Sequence, residues 1–276
     1  MTKITIKNKG EAVALNYVDY GQGQAVVLIH GWPLSHKSWE KQMDALVSAG
    51  FRVIAYDRRG FGDSSAPWDG YTYDDLAADL DTLINELGLE EVILVGFSMG
   101  GGEVVRYLTN HGEQKIAKIA LVSSIIPLVK QKADNPAGVP EKVLNEILTA
   151  LKTDRLKFLT DFHQGFYNYS KAKPTVSAEQ LTYDFSIASH AAPQATIKAA
   201  QAWMDTDFRK ECAGIQVPTL IIHGDADATV PFDTAAKQAH ELIKGSQLIA
   251  YPEASHGLNV THAEQLNKDL IAFFKG

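Results

Sequence analysis

A mostly parallel central β-sheet flanked by helices, with a helical cap inserted into it, is the α/β architecture that this sequence predicts. Three observations predict it. Strand-like apolar runs alternate with helical patterns along most of the chain, the order that builds a parallel sheet covered on both faces. Ala25–Ile29 is a continuous apolar run, as expected of a strand buried on both sides. The alternation then stops between Ser124 and Val217, where helical patterns are broken by Pro127, Pro136, Pro140, Pro174 and Pro193 and no convincing strand occurs.

The elements follow in chain order. Residues 2–6 and 12–19 alternate in the manner of paired edge strands, and Gly21-Gln-Gly23 turns the chain into the strand at 25–29. A helix is predicted over 36–49, stopped by Gly50, then a strand at 52–56 and a helix over 72–87, stopped by Gly88. Thr72-Tyr-Asp-Asp75 has the pattern of a capped helix start. A strand at 91–95, a helix from Ser98 to about residue 111 and a strand at 116–122 come next. After the interruption come a strand at 217–222, a helix over 233–244, a strand at 247–250 and a last helix over 261–274. The implied division is residues 1–124 and 217–276 for the α/β core and 125–216 for the cap. No internal repeat or low-complexity tract is present.

Composition narrows the function classes. The chain has 276 residues, enough for one sizeable core, and its 45% hydrophobic and 21% charged content is that of an ordinary globular protein. No apolar run is long enough for a membrane span. The opening Met1-Thr-Lys-Ile-Thr-Ile-Lys lacks the apolar stretch and cleavage site of a secretory signal, which points to the cytoplasm. A net charge of −7 without basic clusters argues against nucleic acid as a partner. Cys212 is the only cysteine, so no internal disulfide or CxxC site exists, and packing is its expected role.

The strongest motif is Gly96-Phe-Ser98-Met-Gly100, a G-x-S-x-G placed after a predicted strand and before a helix. A serine on so sharp a turn projects its hydroxyl above the sheet, and the chain passes so closely that side chains at 96 and 100 would collide. The N–H of Met99 lies at the helix start, where free donors and the helix dipole favour a developing oxyanion. A serine hydroxyl is a weak nucleophile, so a base and an acid are expected later in the chain.

Among nine histidines, His256 is the expected base because the loop 251–257 follows the last strand and can swing over the sheet edge. His262 is expected to cap the final helix, and His30 and His223 to be held in hydrogen bonds beneath the site. His36, His111, His163, His190 and His240 are assigned surface or packing roles. His223-Gly-Asp225-Ala-Asp227 offers two candidate acids. Asp227 is preferred, being further into the loop, and Asp225 is expected to brace the turn. A second oxyanion donor is expected from the loop after the third strand, His30-Gly31-Trp32-Pro33. The N–H of Trp32 suits it, since Pro33 has none.

Together the stretches His30-Gly-Trp-Pro-Leu-Ser, Tyr56-Asp-Arg-Arg-Gly-Phe-Gly-Asp-Ser64, Gly96-Phe-Ser-Met-Gly-Gly-Gly102, Asp205-Thr-Asp-Phe-Arg209, Val217-Pro-Thr-Leu-Ile-Ile-His-Gly-Asp225 and Ser255-His-Gly257 resemble the cofactor-free haloperoxidase, perhydrolase and aryl-esterase family of α/β-hydrolases. The resemblance covers nearly the whole chain. It implies an α/β-hydrolase fold, Ser98 as nucleophile, Asp227 as acid, His256 as base, and Trp32 and Met99 as oxyanion donors. It also implies no metal or other cofactor. The substrates it implies are small acyl esters, or carboxylic acids plus hydrogen peroxide, and its assemblies are often homo-oligomers built from trimers. Halogenating members make a peracid, which then oxidises halide without the enzyme.

Phe158, Phe162 and Phe166 recur every four residues, so a helix would set them on one face. The resembling family draws acyl-site aromatics from its cap, which selects Phe162 and Phe166 for substrate contact. Ile125, Val129, Thr229 and Val230 are further candidates. Pro33 is added because the family divides after the oxyanion tryptophan, with proline resembling the perhydrolase form. The Asp57–Ser64 run is expected to fix the loop under Trp32. Short acyl chains are expected to be preferred, as Trp32 and the cap phenylalanines would crowd the serine. Lactonases and γ-lactamases share the same triad, and a non-catalytic ligand-binding protein on this fold is the reading from another class.

Overall fold

The computed structural model describes residues 2–8 and 11–276; Met1, used in the signal-peptide reading, lies outside them. Strands β1 (Thr2–Asn8), β2 (Glu11–Tyr20) and β3 (Ala25–Ile29) are followed by a 3₁₀ turn at His36–Trp39 and helix α1 (Glu40–Ser48). Then come β4 (Arg52–Tyr56), α2 (Tyr73–Glu86), β5 (Val92–Phe97), α3 (Met99–His111) and β6 (Ile116–Val122). Between β6 and β7 run α4 (Glu141–Thr153), α5 (Arg155–Phe166), α6 (Ala178–Ser189), α7 (Pro193–Asp205) and the single turn α8 (Arg209–Cys212). The chain then forms β7 (Thr219–Gly224), α9 (Ala236–Leu242), β8 (Gln247–Tyr251), α10 (Leu258–Thr261) and α11 (Ala263–Lys275).

The eight strands form one sheet in the order β1-β2-β4-β3-β5-β6-β7-β8. Pairing is antiparallel for β1 with β2 and β2 with β4, and parallel from β4 onward. Of the two expected edge strands, only β1 is an edge; β2 lies between β1 and β4. Because side chains alternate across a strand, Val27 and Ile29 of β3 enter one core with α2 and α3, while Val26 and Leu28 enter a second with α1 and α11. Both faces are therefore covered, which explains the continuous apolar runs of β3 and β5. Thr72 caps α2 in a reciprocal capping box with Asp75, as its sequence pattern predicts. Strand β7 starts two residues later than expected, after Pro218, which has no N–H to give to a ladder.

No strand of the sheet lies between β6 and β7, where the cap was expected. The last part of that interval nevertheless joins the sheet's own core: Phe208, Cys212 and Ile215 are buried there, and the Phe208 ring meets Tyr73 edge-on at 4.8 Å. In α5, His163 donates from Nδ1 to the Leu159 carbonyl (2.7 Å), and its Nε2 is buried without a partner among the described residues. Burial holds this imidazole down at about 4, against the pull of that hydrogen bond. The unfolded chain takes up the proton near the usual 6.5 and the folded chain only near 4. The stability this residue contributes is thus complete above pH 6.5 and lost as pH falls from 6.5 towards 4, by up to about 3 kcal/mol. Urea midpoints at about pH 7.5 and about pH 4.5 should differ more for the wild type than for His163→Gln. Equal differences would refute this assignment.

Candidate active site

The end of β5 and the start of α3 are joined by one residue. Ser98 sits between them with φ 52° and ψ −118°, a conformation that costs a non-glycine residue about 1–3 kcal/mol. Three main-chain hydrogen bonds hold it there: Ser98 N–H to Val122 O (2.9 Å), and Gly101 and Ile125 N–H to Ser98 O (3.1 and 3.3 Å). A Cβ at Gly96 would come within 2.6–2.7 Å of the Gly100 carbonyl and the Gly101 Cα, and one at Gly100 would strike the Ile29 carbonyl. The glycines are therefore steric requirements of the turn.

His256 reaches this serine from the loop after β8. Its Nδ1 donates to Asp227 Oδ2 (2.7 Å), which leaves Nε2 to accept from Ser98 Oγ (2.9 Å). Asp227 stands on the loop after β7, where its Oδ1 accepts from the N–H groups of Thr229 (2.9 Å) and Val230 (2.7 Å). Burial opposes ionisation of this carboxyl, but the facing His256 and the hydrogen bonds from His223 and His256 outweigh it and hold it well below the usual carboxylate range. Ser98, Asp227 and His256 are each at most 6% exposed, so the line is shielded from bulk water. Asp225 instead accepts from the Glu253 N–H (2.6 Å), tying the two loops together.

Trp32 and Met99 flank the serine. A Cβ on Gly31 would lie 3.1 Å from the Ser98 Cβ, so the loop after β3 runs directly against the turn. Turn and loop hydrogen bonds among the described residues leave the N–H groups of Trp32 and Met99 without a main-chain acceptor. The Trp32 side chain is fixed by donation from its indole N–H to the Thr196 carbonyl (2.9 Å) and by edge contacts with Phe162 and Trp203. Over Ser98 lies a cavity of about 350 Å³. Of the expected contacts, Ile125, Val129, Phe162, Thr229 and Val230 are in its wall with Trp32 and Met99; Pro33 and Phe166 are not. Pro33 is buried next to Trp32 in the chain, and Phe166 lies against His256 itself, the rings 4.8 Å apart and edge-on.

Residues 24–263 match the alpha/beta hydrolase fold family. The chain belongs to that family. A non-heme haloperoxidase from Rhodococcus erythropolis is 38% identical over 94% of this chain and 95% of its own. A bifunctional esterase/perhydrolase from Acinetobacter calcoaceticus is 37% identical, covering 96% of this chain and 97% of its own. The crystal structure of a bromoperoxidase from Bacillus anthracis superposes with a TM-score of 0.95 at 43% identity, over all of both chains.

In this α/β-hydrolase the ground beneath the site is a buried polar network. His30 Nδ1 donates to the Gly31 carbonyl (2.8 Å) and Nε2 accepts from the Arg58 N–H (3.0 Å), while Arg58 Nη2 donates to the His30 carbonyl (2.7 Å). Burial and then Arg58 hold the His30 imidazole down at about 3, so it stays neutral as those bonds require. Arg58 also pairs with Glu103 of α3, which accepts from Tyr56 Oη (2.7 Å). Asp57 accepts from the His36 N–H (2.8 Å), Asn16 (2.9 Å) and the Asp63 N–H (2.9 Å). The Asp57–Ser64 run thus clamps the loop carrying Trp32, as expected. Among the described residues no group of three or more His, Cys, Asp or Glu could hold a metal ion.

Sequence reasoning missed part of the wall. Phe158 lines the cavity, on the same four-residue stripe from which Phe162 and Phe166 were selected. Val143, Leu144 and Ile147 of α4 also line it, and their spacing marks one apolar helix face. Trp203 joins them from α7 with no local signal in the sequence. Behind Phe166, Tyr167 donates to the buried Asp184 carboxylate (2.6 Å), a pairing 17 residues apart that fixes the end of α5 beneath His256.

Proposed function

We propose that this chain is a serine carboxylesterase that works through an acyl-enzyme and also forms peracids. The observation that supports this most is the continuous hydrogen-bond line from Ser98 through His256 to Asp227 at the floor of an apolar cavity. Ser98 Oγ attacks the ester carbonyl as His256 Nε2 takes its proton, and Asp227 stabilises the imidazolium that results. The N–H groups of Trp32 and Met99 receive the oxyanion. His256 then protonates the departing alcohol, leaving an acyl group on Ser98. Water, deprotonated by His256, releases the carboxylic acid; hydrogen peroxide in its place releases the peracid, and the proton returns to Ser98 in both cases.

Substrate character follows from the wall. Among the described residues its polar side chains are those of Ser98, Thr229 and Thr234 beside the indole N–H of Trp32 and Trp203, and none of its side chains is charged. A buried ion without a partner is heavily penalised, so neutral esters fit and charged ones do not. At about 30 Å³ per water-sized group, the cavity holds an ester of about a dozen heavy atoms. No helix among the described residues is long and apolar enough to cross a membrane. The reading also carries the cytoplasmic setting, the trimer-based assembly and the assignment of 125–216 as the cap.

The peracid half of the proposal is tested at Pro33. Proline fixes its own φ and restricts the residue before it, so Pro33 can direct the Trp32 carbonyl towards the acyl-enzyme, where it would accept from the second O–H of hydrogen peroxide. One such bond is worth about 0.5–1.5 kcal/mol, a few-fold to about tenfold in partitioning. Wild type and Pro33→Leu are supplied with methyl acetate and hydrogen peroxide, bromide-dependent halogenation of monochlorodimedone is followed, and hydrolysis of the same ester is measured in parallel. The ratio of peracid formation to hydrolysis should fall in Pro33→Leu. An unchanged ratio defeats the carbonyl account, and a wild type that makes no peracid leaves an esterase only.

A further inference from the structure

The Asp227 carboxylate has a second imidazole against it. His223, the penultimate residue of β7, is fully buried, with Nε2 2.8 Å from the Val230 carbonyl and 3.1 Å from Asp227 Oδ2. A carbonyl oxygen can only accept, so Nε2 carries the proton and presents it to both oxygens. Nδ1 is buried with no partner among the described residues. Whatever Nδ1 carries, the Val230 carbonyl keeps a proton on Nε2, so this nitrogen faces Asp227 as a donor. Its face towards Phe232 is apolar, the ring centroids standing 6.1 Å apart.

We propose that His223 is a positioning residue for the acid, an inference that rests on the reading of Asp227 as the orienting carboxylate. Two imidazoles share Oδ2, and they are not equivalent. His256 is at 2.7 Å and gains and loses a proton in each half-reaction, whereas His223 is locked as a donor. With Oδ1 taken by the Thr229 and Val230 N–H groups, every oxygen of the carboxylate is engaged and its plane cannot rotate. Val230 closes the arrangement, since it gives its N–H to Oδ1 and receives the His223 proton on its carbonyl. Without the His223 N–H, the carboxylate gains freedom to turn away from His256 and the Val230 carbonyl is stranded in the interior. The loss should fall on turnover and not on substrate binding, because His223 is not in the cavity wall.

Three variants and two readouts test this. Glutamine can place an amide N–H where Nε2 stands, leucine fills the space without one, and asparagine carries an amide too short to reach. His223→Leu and His223→Asn should each lower kcat for p-nitrophenyl acetate about tenfold or more with KM within about twofold, while His223→Gln should keep a large part of the wild-type kcat. The low-field proton resonance of the His256–Asp227 hydrogen bond should move or broaden in the leucine and asparagine variants and persist in the glutamine variant. If the leucine variant does not fold, glutamine against asparagine decides. Equal losses in all three would make His223 a space-filler, and wild-type kcat in His223→Asn would overturn the proposal. Failure of the Asp227 reading itself would show differently, as a wild type that lacks the low-field resonance.

Discussion

Replacing Ser98 by alanine is expected to lower kcat for p-nitrophenyl acetate by about 10⁴- to 10⁶-fold, His256→Ala by a comparable factor, and the double replacement by little more. The reason is the single line that the two groups form. His256 Nε2 accepts from Ser98 Oγ at 2.9 Å, so without the serine the base has no proton to take, and without the base the serine remains a neutral alcohol. Residual rate should come from the two oxyanion donors acting on bound ester and water, which neither variant removes. A fluorophosphonate label should react with the wild type and not with Ser98→Ala. If the two losses multiply in the double variant, the groups act independently and one of the roles is misassigned.

Asp227→Asn should cost about 10⁴-fold in kcat. The fold should survive it, because the Asn oxygen can still accept from Thr229 and Val230. The amide N–H₂ would then face Nδ1 of His256, which can bond to it only as an acceptor. The ring proton moves to Nε2, and the nitrogen facing Ser98 ceases to be a base. Asp225→Asn is the matched control, since Asp225 is exposed and its carboxylate accepts from the Glu253 N–H on the neighbouring loop. It should change stability by about 1 kcal/mol and leave kcat intact. Steady-state kinetics with thermal melts on both variants check the pair, and the reverse pattern would transfer the acid's role to Asp225.

What could be read from the sequence was what local constraint dictates. Gly96 and Gly100 are legible because no other residue fits the turn, β3 and β5 because burial on both faces removes polar residues, and Thr72 with Asp75 because a helix start needs its N–H groups satisfied. What escaped depends on distant pairing. That β2 is enclosed by β4 follows from a register between residues 17–20 and 53–56, which no local pattern encodes. The every-four stripe of phenylalanines identified a face of α5 but not how far along it the cavity extends. Phe158 is in the wall, whereas Phe166 has turned towards Phe97 and His256. Trp203 and the Tyr167–Asp184 pair reach the site only through helix packing, and the second imidazole on Asp227 is visible only once β7 and its loop are folded together.

His256 is separated from Ser98 by 158 residues and lies beyond the last strand of the sheet. Synthesis proceeds from the N-terminus, so the turn at Ser98, the loop of Trp32 and helices α4–α8 all leave the ribosome before His256 does. On the proposed reading, acyl transfer has to wait for β8 and the loop behind it, which makes it a property of the finished molecule.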